Sequence, residues 1–138
     1  MPDLPLSFRL DPALATPIYA QIVEQVRFQI ARGTLQPGDE LPSVRALSGR
    51  HLINPNTVAR AYTILEQAGL VTTKTGSGTF VSDPKLRSRD AADINALTER
   101  IDTLVTRGLN LGFDSNELIS IFKDRLAAFA NKPESRKI

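Results

Sequence analysis

The 138 residues contain no cysteine, so disulfides and thiolate metal sites are excluded and a reducing interior is compatible. Tryptophan is missing as well, and histidine occurs once, at His51. No cluster of ligands at suitable spacing accompanies that histidine, so neither a metal nor a catalytic role is expected for it. No run approaches the ~20 apolar residues of a membrane span. The opening MPDLPLSFRLD lacks the basic start and apolar core of a secretory signal. The expectation is a soluble, cytoplasmic protein with no membrane partner. A surplus of one charge is also lacking. The formal net charge is +2, with seven Lys and Arg against six Asp and Glu up to Val81, and ten against nine beyond it. So small a balance gives only weak, salt-sensitive attraction to a polyanion, and any binding argument must rest on where particular side chains sit.

What the sequence does contain is organised around Asn54 to Val71, NPNTVARAYTILEQAGLV. Val58, Ala61, Leu65 and Ala68 recur at i, i+3, i+7 and i+10, one side of an α-helix, which leaves Asn56, Arg60, Thr63 and Gln67 off that stripe. Asn54 is a good N-cap, Pro55 suits the first helical position, and Asn56 and Thr57 follow in the first turn. Short hydrogen-bonding side chains thus crowd a helix N-terminus, whose backbone N–H groups and partial positive charge suit a phosphate or a base edge. Gly69 stops the helix as a left-handed cap. Tyr62 fits either the core or a hydroxyl contact to phosphate.

Before this helix, Leu6, Phe8 and Leu10 alternate briefly, as a short strand or an arm lying on the domain. Thr16 and Pro17 start a first helix in which Ile18, Ile22, Val26 and Ile30 repeat every four residues until Arg32 and Gly33 close it. Pro37 and Gly38 make a turn, and Leu41 before Pro42 is placed to pair with a sheet edge. Ser43 caps a short second helix, with Val44, Leu47 and Leu52 expected inward and Arg45 and Arg50 on the surface. The few residues from His51 to Asn54 force a sharp crossing into the central helix, as in a helix-turn-helix. Beyond it, Leu70 to Lys74 and Thr79 to Val81 are β-prone runs around Thr75, Gly76, Ser77 and Gly78, the glycines giving the φ freedom a tight hairpin needs. Three helices and a hairpin in this order make a winged helix.

Ser82 to Arg89 carries Pro84 with Lys85, Arg87 and Arg89 and no periodicity, and reads as a linker. A strong helical pattern follows in Ile94, Leu97, Ile101, Leu104 and Val105. Gly108 and Gly112 are expected to break it. Asp114 and Glu117 resemble a capping box, and Leu118, Ile121, Phe122, Leu126 and Phe129 mark a last helix. Asn131 to Ile138 is a polar tail. A winged-helix core has little apolar surface to spare for two such amphipathic helices, so a second copy of the chain is the economical partner.

Four pieces in this order resemble the GntR family of bacterial transcription regulators: RGTLQPGDELPS after the first helix, PSVRALS in the second, NPNTVARAYTILEQAGLV, and TGSGTFV in the hairpin. The likeness covers Pro17 to Val81, and the short two-helix tail is similar to the YtrA-type subgroup. The resemblance implies a mainly α fold with a small β hairpin, a winged helix-turn-helix over 1–81, a linker over 82–89 and a helical dimerisation region over 90–138. It implies a homodimeric repressor on a palindromic double-stranded DNA operator. Arg45 matches an arginine that contacts DNA, Asn54, Asn56 and Thr57 match the contact-making start of the recognition helix, and Thr75 and Gly76 match the wing tip. Pro55 and Ala59 stand where some relatives place base-reading arginines, which shifts direct readout toward Asn56 and Arg60. Ser43, Lys74 and Ser77 complete the candidate DNA-binding set, with Lys74 a phosphate partner. The apolar stripes of the tail are expected as dimer core, although a crevice there could still bind a small-molecule effector, and by the resemblance related short regulators often sit beside transporter genes. A winged helix that binds protein instead of DNA is the alternative. GntR-like heads also occur fused to aminotransferase-like domains that use pyridoxal phosphate. This chain is too short for one and offers no convincing Schiff-base lysine, so neither enzyme activity nor a cofactor is expected.

Overall fold

The four-residue spacing of apolar side chains in the first helical segment produces α1 (Ile18–Arg32), which buries Ile22, Val23 and Val26. Pro17 is its cap residue, and Gly33, at φ 81°, ends it in the left-handed conformation. The preceding segment is an arm and not a strand. Two α1 glutamines hold it by their amides: the Arg9 N–H donates to Gln25 Oε1 and Gln25 Nε2 donates back to the Arg9 carbonyl, both at 2.9 Å. Gln21 does the same at Asp11 and also donates to the Thr16 carbonyl. This satisfies the amide of a buried polar side chain while Phe8 packs into the core. A computed structural model of the protein describes residues 7–84 and 89–130, so Leu6 of the expected alternation lies outside the described residues.

In α2 (Val44–His51) the Ser43 hydroxyl accepts from the Ala46 N–H at 3.0 Å. Leu47 is fully buried, but Leu52 is not the inward residue its sequence position suggested. It caps the helix at φ 54°, ψ 46° and is 91% exposed. A left-handed cap reverses the chain, so Ile53 is the residue that packs against the core. Its N–H closes the cap on the Ser48 carbonyl.

The third helix, α3 (Pro55–Gln67), buries Val58, Ala61, Tyr62 and Leu65. Ala68, expected on that stripe, is instead the exposed C-cap. Gly69 at φ 77° lets its own N–H reach the Glu66 carbonyl and the Leu70 N–H reach the Leu65 carbonyl, which satisfies two of the helix's last carbonyls. The chain then enters β1 (Val71–Lys74), which pairs antiparallel with β2 (Gly78–Val81) in the register Val71 to Val81. A third short run joins this hairpin. Glu40, the neighbour of the expected Leu41, bridges Phe80, while the Leu41 N–H donates to the Thr79 carbonyl and the Val81 N–H to the Asp39 carbonyl, each at 2.8 Å. The fully buried large side chains Ile22, Val26, Leu35, Leu41, Leu47, Val58, Leu65 and Val71 come from α1, the α1–α2 connection, α2, α3 and β1, and with Val81 of β2 they form the core of this unit.

The described residues divide into two compact units, 7–84 and 89–130. Ser82, at the start of the expected linker, is buried in the first unit, where its N–H donates to the Leu70 carbonyl and its hydroxyl shares a 2.9 Å hydrogen bond with that of Thr72. Lys85 and Arg87 of that segment, and the tail from Asn131 to Ile138, lie outside the described residues. The second unit is a pair of helices, α4 (Ala91–Asn110) and α5 (Ser115–Ala130). Asp90 and Asp93 form a capping box at the start of α4, and Asp114 and Glu117 form the expected one before α5. Gly108 does not break α4. It lies inside the helix and is buried, because Leu118 of α5 occupies the space beside it: a Cβ built there would stand 2.5 Å from Leu118 Cδ2. The turn falls at Gly112, φ 95°. No described helix is long and apolar enough to cross a membrane.

Candidate nucleic-acid interface

The entrance of α3 and the hairpin tip carry most of the candidate contacts of the first unit, and the start of α2 carries Ser43 and Arg45. At the entrance of α3, Asn54 Oδ1 accepts from the Asn56 N–H at 2.8 Å. The Asn54 carbonyl accepts from the Thr57 and Val58 N–H groups at 2.9 and 3.4 Å, and Pro55 has no N–H to give. Every backbone donor of the first turn is therefore taken up within the helix, contrary to the sequence-based expectation that some would be open to a phosphate. The partial positive charge of the helix end remains, and the groups open to a partner are side chains. Asn54, Asn56 and Arg60 are exposed and Thr57 is half-buried, on the side opposite the buried stripe.

Tyr62 belongs to the core. Its hydroxyl donates to the Pro42 carbonyl at 2.7 Å, which ties α3 to the segment that leads into α2. Burial pushes its phenol well above the ordinary tyrosine range, against a smaller lowering by the Arg50 charge. The Ser43 hydroxyl oxygen accepts from the Ala46 N–H and keeps its own O–H to donate, and Arg45 stands exposed in the first turn of the same helix.

At the hairpin tip, Lys74, Thr75, Gly76 and Ser77 are all exposed, and the Ser77 N–H closes the turn on the Lys74 carbonyl at 2.9 Å. Gly76 and Gly78 have φ of 79° and 132°, backbone that favours glycine. The Lys74 ammonium sits 5.2 Å from the centre of the Phe80 ring. Among the described residues no carboxylate forms an ion pair with Arg45, Arg60 or Lys74. The described residues hold no group of three or more acidic or histidine side chains that could bind a metal.

The candidate dimerisation residues all lie in the second unit. Ile94, Leu97, Ile101, Leu104 and Val105 of α4 and Ile121, Phe122 and Leu126 of α5 are exposed. Leu118 and Phe129 are half-buried, Leu118 against Gly108. Leu109, Leu111, Phe113 and Ile119 extend the exposed apolar surface beyond the residues the periodicity singled out. A shallow, open concavity there is lined by Thr103, Thr106, Arg107, Asn110 and Leu111.

One residue of the first unit escaped the sequence reading. Tyr19 of α1 lies under Arg60, whose guanidinium carbon is 3.8 Å from the ring centre. Nothing in sequence spacing joins two residues so far apart on different helices; only the packing of α1 on α3 brings them together.

The sequence pattern described as bacterial regulatory proteins, gntR family, matches residues 18–81. The chain is 34% identical to the HTH-type transcriptional repressor YtrA of Bacillus subtilis, over 84% of its own length and 89% of that protein's. Among solved structures, a protein described as a transcriptional antiterminator from Listeria monocytogenes superposes with a TM-score of 0.76 at 25% identity, covering 93% of this chain and 96% of that one. YtrA from Sulfolobus acidocaldarius, described as a GntR-family transcription factor, superposes with a TM-score of 0.54 at 29% identity, covering 87% and 97%.

Proposed function

The chain belongs to the GntR family of bacterial regulatory proteins, and from that premise we propose that it is a sequence-specific transcription repressor that binds a palindromic operator as a homodimer. The observation that carries the reading is the two-sidedness of α3: Val58, Ala61, Tyr62 and Leu65 are buried on one side, while Asn54, Asn56 and Arg60 stand exposed on the other. A helix so held can enter the major groove with its first turn leading. Asn56 reads a base edge there, since an asparagine amide can pair bidentately with adenine for ~1–3 kcal/mol of discrimination. Arg45 and Ser43 at the start of α2, Asn54 and Thr57 beside Asn56, and Lys74, Thr75, Gly76 and Ser77 at the wing supply backbone contacts, which position the head without reading sequence. Pro55 and Ala59 stand where some relatives carry base-reading arginines, so the operator sequence is not carried over from those relatives.

Dimerisation is assigned to the second unit, whose exposed leucines, isoleucines and phenylalanines would otherwise face water. Two-fold symmetry then sets half-sites about one helical turn apart, ~10 bp centre to centre, or more if the dimer spreads the heads. A small-molecule effector that changes the angle between the heads is the proposed means of regulation, and a transporter operon the proposed target, the latter by likeness to related short regulators. The test is selection from a random duplex library. The expected result is enrichment of an inverted repeat, with Asn56→Ala relaxing base preference and Lys74→Ala weakening all sequences evenly. A library that emerges unenriched contradicts the reading and favours a winged helix that binds protein.

A further inference from the structure

We propose that Tyr19 is a positioning residue that holds the Arg60 guanidinium flat on its ring so that the guanidinium edge meets a DNA backbone phosphate. The inference rests on the DNA-binding reading above and assigns to Arg60 a role other than base readout.

The contact is close. At 3.8 Å from guanidinium carbon to ring centre, the cation lies in van der Waals contact with the face of the ring, where the ring's negative quadrupole attracts it. A guanidinium lying parallel to the ring at this distance keeps its N–H donors in its own plane, pointing outward. Among the described residues no carboxylate takes those donors. A planar fork with open donors matches two oxygens of one phosphate. The platform is firm because Tyr19 is half-buried in the first turn of α1, two and three residues before the buried Gln21 and Ile22, and α1 packs on α3. Arg60 stands one turn after Asn56 on the exposed side of α3, so a strand bordering the base that Asn56 reads would lie within its reach. Its side chain lies over the ring of Tyr19, a residue of α1. An arginine has many rotamers to lose on binding; one already stacked has fewer, so the contact forms with less ordering.

A phosphate contact carries no sequence information, and this separates the proposal from base readout. Binding is measured for the full-length wild type, Tyr19→Phe, Tyr19→Leu, Arg60→Ala and the double variant Tyr19→Leu/Arg60→Ala. The duplexes are the selected operator, single-base variants of it and a shuffled sequence, across a salt series, with thermal melting to confirm folding. Arg60→Ala is expected to weaken every duplex by a similar factor, ~10-fold, and to lower the salt slope by ~0.9. Tyr19→Leu is expected to lose ~3- to 10-fold on every duplex, and Tyr19→Phe, which keeps the ring, to stay within ~2-fold of wild type. The double variant is expected to bind no worse than Arg60→Ala alone, since the ring acts only through the arginine. Additive losses in the double variant, or a loss in Tyr19→Phe equal to that in Tyr19→Leu, would overturn the proposal. So would an Arg60→Ala loss confined to one base position. A wild type that binds operator and shuffled DNA equally would sink sequence-specific repression, while the coupling of Tyr19 to Arg60 would still be decided on the shuffled duplex.

Discussion

Tyr62 shows how one side chain can serve packing and connection together. Its ring is buried among α3's apolar residues and its hydroxyl satisfies the Pro42 carbonyl, so Tyr62→Phe leaves a buried acceptor unpaired and is expected to cost ~1–3 kcal/mol in urea unfolding. The same group gives stability an alkaline limit. Its proton is held more tightly folded than unfolded, so its contribution is full below the unfolded tyrosine value of ~10 and is lost as pH rises beyond it. Between pH ~9.5 and 11.5 the wild type should lose more stability than Tyr62→Phe, and parallel curves would refute that linkage. Leu52 is the opposite case, an apolar side chain 91% exposed in left-handed backbone. Leu52→Asn should raise stability by ~0.5–1 kcal/mol, read as a higher melting temperature, because asparagine tolerates that conformation better. The sequence could not show this, since Leu52 continues the apolar spacing of α2 and only the cap geometry turns it outward.

At the scale of elements, period and punctuation carried most of the fold. The helix over Pro55–Gln67, its Asn54 cap and its stop at Gly69 could all be read from residue types, because each acts within a few positions of itself. The miss at Gly108 came where a long-range contact outweighed a local preference. Gly108 disfavours helix by ~1 kcal/mol relative to alanine, yet α4 runs through it because Leu118 needs the room. Gly108→Val should therefore push α5 from α4 and destabilise the second unit by ~1–3 kcal/mol, despite removing a glycine from a helix. Pairing it with Leu118→Ala should recover much of the loss in a double-mutant cycle. Equal stability of Gly108→Val and wild type would show that the helices do not depend on this close approach. The stack of Arg60 on Tyr19 was beyond sequence for the same reason, whereas the bonds that occupy the amides at the start of α3 are local and follow from the Asn54 cap itself.

For the whole molecule, the proposed division of labour is a DNA-reading unit at 7–84 and a pairing unit at 89–130. It predicts that charge placed on the exposed apolar face of α4, as in Leu97→Glu with Leu104→Glu, yields a monomer by sedimentation velocity with the first unit's melting unchanged. Operator affinity should fall by a factor of ~10² or more as the two half-sites cease to bind as one. A dimer that survives both charges would place the interface elsewhere. The central claim is sequence-specific operator binding, and fluorescence anisotropy tests it most directly, with labelled DNA from upstream of the protein's own gene beside a shuffled duplex over a salt series. The account predicts a preference of ~10³-fold or more that persists at physiological salt. Equal, steeply salt-dependent binding to the two duplexes would contradict it.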